Sequence, residues 1–231
     1  MDQMKSDVRD GMRIDWDVPV KMEDGLVLRA DVYRPIDDGK YPVIMTYGPY
    51  GKYLHFEDLY ETCWTRMVEQ HPDVPAGSTN KYQNWEVVDP EKWVPDGYAV
   101  VRVDSRGAGR SPGHMDIWSA REAKDFYHSI EWAAEQPWSS GKVGLNGISY
   151  YGMNQWQVSS LQPPHLTAIC IWEGAADYYR DMGCSAYQRA ADHRLARELD
   201  IAPILEHLAQ RFSGYAGALQ RLQPGGPPGN G

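Results

Sequence analysis

The chain has 231 residues, of which 42% are hydrophobic, 24% charged and 12% aromatic, as expected for a globular protein with one sizeable core. Its 23 Lys and Arg against 32 Asp and Glu give a formal charge of -9. We expect no nucleic-acid partner, because that binding needs clustered cations. We also expect no membrane span, because no apolar run approaches roughly 18 residues, and no signal peptide, because the first twenty residues contain no apolar core.

The cysteines point to a reducing compartment. Cys63, Cys170 and Cys184 are odd in number and do not show metal-ligand spacing. We therefore expect reduced thiols, a cytoplasmic location, and neither a metal nor an organic cofactor.

The composition changes near residue 182. All nine Trp and all eight Lys precede residue 183, whereas residues 183–231 contain no Val and carry five Arg against four acidic residues. We therefore divide the chain into residues 1–182, the body of the fold, and residues 183–231, an atypical tail expected to be out of family or disordered.

The first half of the body predicts strands followed by a long connection. Residues 12–35 alternate apolar and polar side chains, which predicts an antiparallel pair of strands. The apolar run at 42–47 predicts another strand. Residues 51–96 are rich in aromatics and interrupted by Pro, with helical turns predicted near 57–69 and 90–94. A connection this long is more often functional than a plain linker.

The second half of the body alternates strands and helices. The predicted order is strand 98–103, a helix that starts at a capping box of Ser119 and Glu122, strand 142–145, a helix that ends near Leu161, and strand 167–172. In a capping box each of the two side chains accepts from a free backbone N–H at the start of the helix. Short apolar strands that alternate with helices predict an α/β fold with a mainly parallel sheet.

The residues with the clearest chemistry are Gly147-Ile-Ser-Tyr-Tyr-Gly152, between a predicted strand and a predicted helix. A serine on such a sharp turn exposes its Oγ above the sheet, where a base can take its proton. Glycines are expected on both sides, because a side chain there would strike the neighbouring strand or helix. The general pattern is G-x-S-x-G; here Tyr151 occupies the place of the second glycine.

This elbow resembles that of the CocE/NonD hydrolases, relatives of the X-Pro dipeptidyl-peptidases, which is written G-x-S-Y-x-G. Residues 47–52, 96–113 and 172–180 match further motifs of the family in the same order, so the resemblance covers roughly residues 12–182. It implies an α/β-hydrolase fold. Here that fold would be an incomplete, mainly parallel sheet flanked by helices, without the family's helical cap and C-terminal β domain.

The resemblance also implies roles. Ser149 would be the nucleophile that forms an acyl-enzyme, and the backbone N–H of Tyr150 would be one oxyanion donor. The hydroxyl of Tyr50 would be the second donor. The substrate would be a small-molecule ester, an amide or an X-Pro peptide, and the sequence does not choose among them because specificity lies in cap and loops.

The triad acid and base are not identified. Possible bases after Ser149 are His165, His193 and His207, and the acids are Glu173, Asp177, Asp181, Asp192, Glu198, Asp200 and Glu206. The family carries both groups further along its chain, so we expect a truncated chain, with residues 183–231 read out of frame. The alternatives are a natural short form that uses His193 or His207, and a non-catalytic remnant or interaction module with a vestigial elbow.

Two further features have structural interpretations. Asp104 and Arg106 follow a strand, and we expect them to brace the glycine-rich turn that ends at Gly109 rather than to catalyse. Pro112 occupies the third glycine position of a dinucleotide-binding loop, which excludes that motif. A sheet shortened in this way predicts an open edge with exposed apolar surface.

Overall fold

Seven strands and five helices make up the part of the chain that the computed structural model describes, residues 4–177 and 181. The strands are β1 (Lys5–Arg9), β2 (Met12–Lys21), β3 (Val27–Arg34), β4 (Tyr41–Gly48), β5 (Ala99–Asp104), β6 (Ser139–Ile148) and β7 (Leu166–Trp172). The helices are α1 (Phe56–Leu59), α2 (Glu61–Gln70), α3 (Pro90–Trp93), α4 (Ala120–Ala134) and α5 (Tyr150–Ser160). All of these elements belong to the first of two units into which the chain divides after Ala176.

The strands form one mixed sheet in the order β1-β2-β3-β5-β4-β6-β7. The first four strands in this order pair antiparallel, whereas β5, β4, β6 and β7 run parallel to one another. The predicted parallel arrangement therefore describes the half of the sheet that carries the elbow, and the other half is antiparallel. The predicted fold class, an α/β-hydrolase-like sheet flanked by helices, is confirmed.

The antiparallel half follows from the alternation in the sequence. Ile14 pairs with Tyr33, and Val20 pairs with Leu28, and all four side chains are buried. Sequence reasoning missed β1, because its five residues include a single apolar side chain and lie mostly exposed at the edge of the sheet.

The start of α4 departs in one respect from the predicted capping box. The Ser119 hydroxyl accepts from the Glu122 N–H at 3.0 Å, as expected. The Glu122 carboxylate does not turn back to the Ser119 N–H; it accepts from the Trp118 N–H at 2.8 Å and from the Tyr150 hydroxyl at 2.6 Å. The Glu122 carboxylate therefore contacts Tyr150 on α5 instead of completing the local capping box with Ser119.

The core lies between the sheet and the helices α4 and α5. The Phe126 ring stacks on the Tyr47 ring at 4.9 Å between centroids, and Ile130 and Val158 are fully buried. Burial of a large apolar side chain contributes about 1.5–3 kcal/mol. These contacts hold both helices firmly on the parallel half of the sheet.

β7 is an edge strand of the described sheet, and large apolar side chains there stay exposed. Trp172, at the end of β7, is 56% exposed, and Trp156 on α5 is 44% exposed. The exposed apolar surface predicted for this edge is present.

Candidate active site

Ser149 lies on the turn between β6 and α5, in a strained backbone conformation. Its φ is 54° and its ψ is -114°, outside the regions that L-residues ordinarily adopt, at a cost of about 1–3 kcal/mol. The N–H of Ser149 donates to the Trp172 carbonyl at the end of β7, at 3.0 Å. The neighbouring strand therefore helps to hold the serine in this conformation at the carboxyl end of the parallel strands.

The two glycines of the elbow are required by space, as predicted. A Cβ at Gly147 would lie 2.3 Å from the Cβ of Tyr151 in the helix. A Cβ at Gly152 would lie 2.9 Å from the carbonyl oxygen of Trp172 in the neighbouring strand. The strand and the helix can meet this closely only without these side chains.

Tyr151, which replaces the usual second glycine, needs a third glycine elsewhere. Its ring is buried, and a Cβ at Gly48, the last residue of β4, would lie 2.5 Å from its Cε1 atom. The displaced glycine pattern is therefore compatible with the fold because β4 ends on a residue without a side chain.

Tyr50 and Tyr150, the predicted oxyanion donors, lie together beside the elbow that carries Ser149. The Tyr50 ring packs edge-on against the rings of Tyr150, at 5.9 Å, and Tyr151, at 5.4 Å. The backbone N–H of Tyr150 is the first of α5, where no helix carbonyl precedes it as an acceptor. Its hydroxyl donates to the Glu122 carboxylate, so this residue offers the elbow its backbone and keeps its side chain in the core.

Glu86 is a neighbour of Ser149 that sequence reasoning missed. Its carbonyl accepts from the Ile148 N–H at 3.2 Å, and the Ser149 side chain lies close enough to its carboxyl to lower its pKa. Burial raises the pKa of Glu86 to about 7, and the nearby charge of Glu173 acts in the same direction. The only available signal was the length of the connection, residues 51–96, which predicted function without naming a residue.

Asp104 and Arg106 brace the turn after β5, as expected. The fully buried Asp104 carboxylate accepts from the backbone N–H groups of Lys52, at 2.7 Å, and Arg110, at 2.8 Å. Burial raises the pKa of Asp104 to about 6, against the lowering effect of the Lys52 charge. Arg106 forms an ion pair with Asp125 at 2.7 Å. The polar atoms of both side chains are therefore engaged in holding the turn.

The arrangement of elbow, strand order and glycines has counterparts among known proteins. The family model of X-Pro dipeptidyl-peptidases (S15 family) matches residues 24–214. The chain belongs to this family. The matched range runs past Met182 into the segment with the different composition.

Individual relatives agree with the family. Cocaine esterase of Rhodococcus sp. (strain MB1 Bresler) is 36% identical over 163 residues, which cover 71% of this chain and 24% of the esterase. The crystal structure of a CocE/NonD family hydrolase from Staphylococcus aureus is 42% identical, with a TM-score of 0.63, over 74% of this chain and 29% of that chain. The predicted resemblance to CocE/NonD hydrolases is confirmed, and the chain spans about a quarter of the length of cocaine esterase.

A more distantly related structure shares only the fold with this chain. The structure of an α-amino acid ester hydrolase is 19% identical, with a TM-score of 0.53, over 75% of this chain and 28% of that chain.

The described histidine among the three candidate bases lies at the wrong end of the sheet. His165 precedes β7, whereas Ser149 lies beside the last residue of that strand, about 20 Å away at 3.3 Å per residue. Its Nδ1 atom contacts the Glu131 carboxylate at 2.7 Å. His165 therefore does not serve Ser149 as a base. His193 and His207 lie outside the described residues.

The candidate acids likewise divide into those that the structure describes and those that lie outside the described residues. Glu173 follows β7 and lies close enough to Glu86 to affect its pKa. In the second unit, the Asp177 N–H donates to the Asp181 carboxylate at 3.0 Å. The other four candidates lie outside the described residues: Asp192, Glu198, Asp200 and Glu206.

The described part of the chain shows neither a metal-binding cluster nor a membrane-spanning helix. Residues 4–177 and 181 contain no group of three or more His, Cys, Asp or Glu that could hold a metal ion. They also contain no helix that is long and apolar enough to cross a membrane.

Proposed function

We propose that this chain carries the nucleophile of a serine hydrolase of the CocE/NonD type, which cleaves an ester or amide through an acyl-enzyme on Ser149. The observation that supports the proposal most strongly is the strained Ser149 between a parallel strand and a helix N-terminus. A serine in this position presents its Oγ at the open end of the sheet, which is the requirement for attack on a carbonyl.

The chemistry assigns the neighbouring tyrosines as oxyanion donors. As Oγ attacks, negative charge develops on the carbonyl oxygen of the substrate, and the Tyr150 N–H and the Tyr50 hydroxyl are proposed to donate to it. One such donor typically contributes roughly 3 kcal/mol to transition-state stabilisation. The ring contacts among Tyr50, Tyr150 and Tyr151 support this role, because they hold the Tyr50 side chain beside the elbow.

The triad acid and histidine remain unassigned. A serine without its base loses up to about a millionfold in rate in a protease precedent. That both groups are missing from this chain stays a prediction, and so does the use of His193 or His207.

We propose only a broad substrate class, namely small molecules or peptides with an ester or amide bond. Ester hydrolysis, amide cleavage and removal of X-Pro dipeptides share one acyl-transfer mechanism. Membership of the S15 family and the similarity to cocaine esterase support small molecules or peptides with an acyl bond. A cytoplasmic location, in agreement with the free thiols at Cys63 and Cys170, and the absence of a nucleic-acid partner remain predictions.

The test is covalent labelling of the 231-residue chain with a fluorophosphonate, measured by intact mass. One adduct on the native chain and none on Ser149→Ala would support Ser149 as an activated nucleophile. Tyr50→Phe should label roughly a hundredfold more slowly, because one oxyanion donor is lost. Tyr53→Phe, a neighbouring half-buried tyrosine, is the matched control and should label at the native rate. No adduct on a folded native chain would support the predicted incomplete triad or the non-catalytic alternative.

A further inference from the structure

Glu86 reaches the nucleophile from a distant segment, and its backbone is held in an unfavourable conformation to do so. Its φ is 63°, a left-handed value that is uncommon for residues other than glycine. The hydrogen bond from the Ile148 N–H to its carbonyl connects this residue to the strand residue directly before Ser149. Strained residues held in this way are concentrated at functional sites.

The carboxyl of Glu86 is also incompletely satisfied. The side chains of Trp85 and Ser149 lie close enough to its carboxyl to lower its pKa, yet its Oε2 atom is buried and has no hydrogen-bond partner within the described residues. Buried polar atoms without partners are rare in structural roles. A carboxyl in this state next to a nucleophile indicates a role in the reaction.

The charges around Glu86 do not neutralise it. The titratable groups that interact with its carboxyl are Glu173, after β7, and the buried Tyr151 on α5. The charge of Glu173 disfavours the charged form of Glu86, whereas Tyr151, whose own pKa is raised by burial, is neutral where Glu86 titrates and supplies no compensating charge. This differs from the turn after β5, where Arg106 forms an ion pair with Asp125.

We propose that Glu86 is a positioning residue of the active site. Its carboxylate accepts a hydrogen bond from the Ser149 hydroxyl and so orients Oγ for attack. This inference rests on the proposed function. A serine hydroxyl rotates among three staggered positions, and an acceptor at one of them selects the orientation of the oxygen lone pairs. A protonated Glu86 is a weaker acceptor than the carboxylate and can donate to Oγ instead.

The first experiment measures fluorophosphonate labelling rates of the full chain between pH 5.5 and 8.5. We expect the native rate to rise with an apparent pKa near 7, because burial places the pKa of Glu86 at about 7. Glu86→Gln should label roughly tenfold more slowly at pH 8 and should lose this rise. Glu69→Gln, an exposed residue of the same connection, should behave as native. A rise retained in Glu86→Gln and lost in His193→Asn or His207→Asn would overturn the proposal.

The second experiment is independent of any reactivity. Carbon-13 NMR titration of the Glu86 carboxyl, assigned by its disappearance in Glu86→Gln, compares the native chain with Ser149→Ala. Loss of the hydroxyl should raise the Glu86 pKa by roughly one pH unit, because a hydrogen bond to the charged form is removed. An unchanged pKa would overturn the contact. A raised pKa together with no labelling would refute the proposed function and leave the contact established.

Discussion

The turns after β5 and β6 occupy equivalent places on either side of β4, yet they have opposite characters. In the turn after β5, the buried Asp104 carboxylate accepts two backbone N–H groups, and Arg106 pairs with Asp125. In the turn after β6, Ser149 has a strained backbone, and the half-buried Glu86 lies beside it with no cation among the groups that shift its pKa. The comparison teaches that a charged residue at a strand end is structural when its partners are complete, and that the incompletely satisfied turn is the one proposed to react.

Among the substitutions that test this comparison, Asp104→Ala should change the free energy of unfolding most. It removes the acceptor of two backbone N–H groups and one of the anions around the buried Lys52. We expect the free energy of unfolding to fall by about 3–5 kcal/mol, measured by urea denaturation. The labelling rate of the fraction that stays folded should be native.

The control for this loss is Asp38→Ala, an exposed residue after β3, which should change the free energy of unfolding by less than about 0.5 kcal/mol. A folded Asp104→Ala chain that no longer labels would contradict the structural role of the turn after β5.

An intermediate effect is expected from Gly48→Ala, which tests how the elbow obtains its space. The new Cβ would lie 2.5 Å from the Tyr151 ring, so the ring must move, at a cost of about 1–3 kcal/mol in the free energy of unfolding. The labelling rate should fall as well, because Tyr151 contacts Tyr50.

Gly144→Ala is the matched control, since a Cβ there would meet its nearest atom at an ordinary 3.7 Å. If Gly48→Ala and Gly144→Ala lose the same amount of stability, the loss comes from replacing a strand glycine as such. The space that Gly48 leaves for the Tyr151 ring would then not matter.

The smallest effect should be a gain of stability in Glu86→Gln at high pH. The native pKa of about 7 lies above the ordinary value of 4.5, so between these values the native state binds a proton that the unfolded chain has released. The free energy of unfolding of the native chain should therefore fall as the pH rises through this window. The glutamine variant lacks this decline and should exceed the native chain by about 1–2 kcal/mol at pH 8.

The measurement is urea denaturation of both chains at pH 4.5 and pH 8, with Glu69→Gln as the control. Equal stabilities at pH 8 would place Glu86 in water rather than beside the elbow. A higher free energy of unfolding in Glu86→Gln and a lower one in Asp104→Ala would together support the opposite characters of the two turns.

The family resemblance and the local pattern predicted much of the candidate site. The spacing around Ser149 predicted the elbow, and the need for Gly147 and Gly152 was confirmed by the atoms that a Cβ would meet. Glu86 could not be predicted, because nothing in its neighbours along the chain distinguishes it from the other acids of residues 51–96. His165 could not be excluded either, since only the direction of β7 places it far from Ser149.

The sequence by itself determined the turn, the strands and the helices around Ser149, because those features depend on residues a few positions apart. Only the tertiary structure decided which distant side chains meet them. The order of the strands brings Gly48 under Tyr151 and Trp172 against Ser149, and the long connection places Glu86 beside the elbow. Local spacing carries no information about these contacts, because they form only when the folded sheet brings separate segments to one edge.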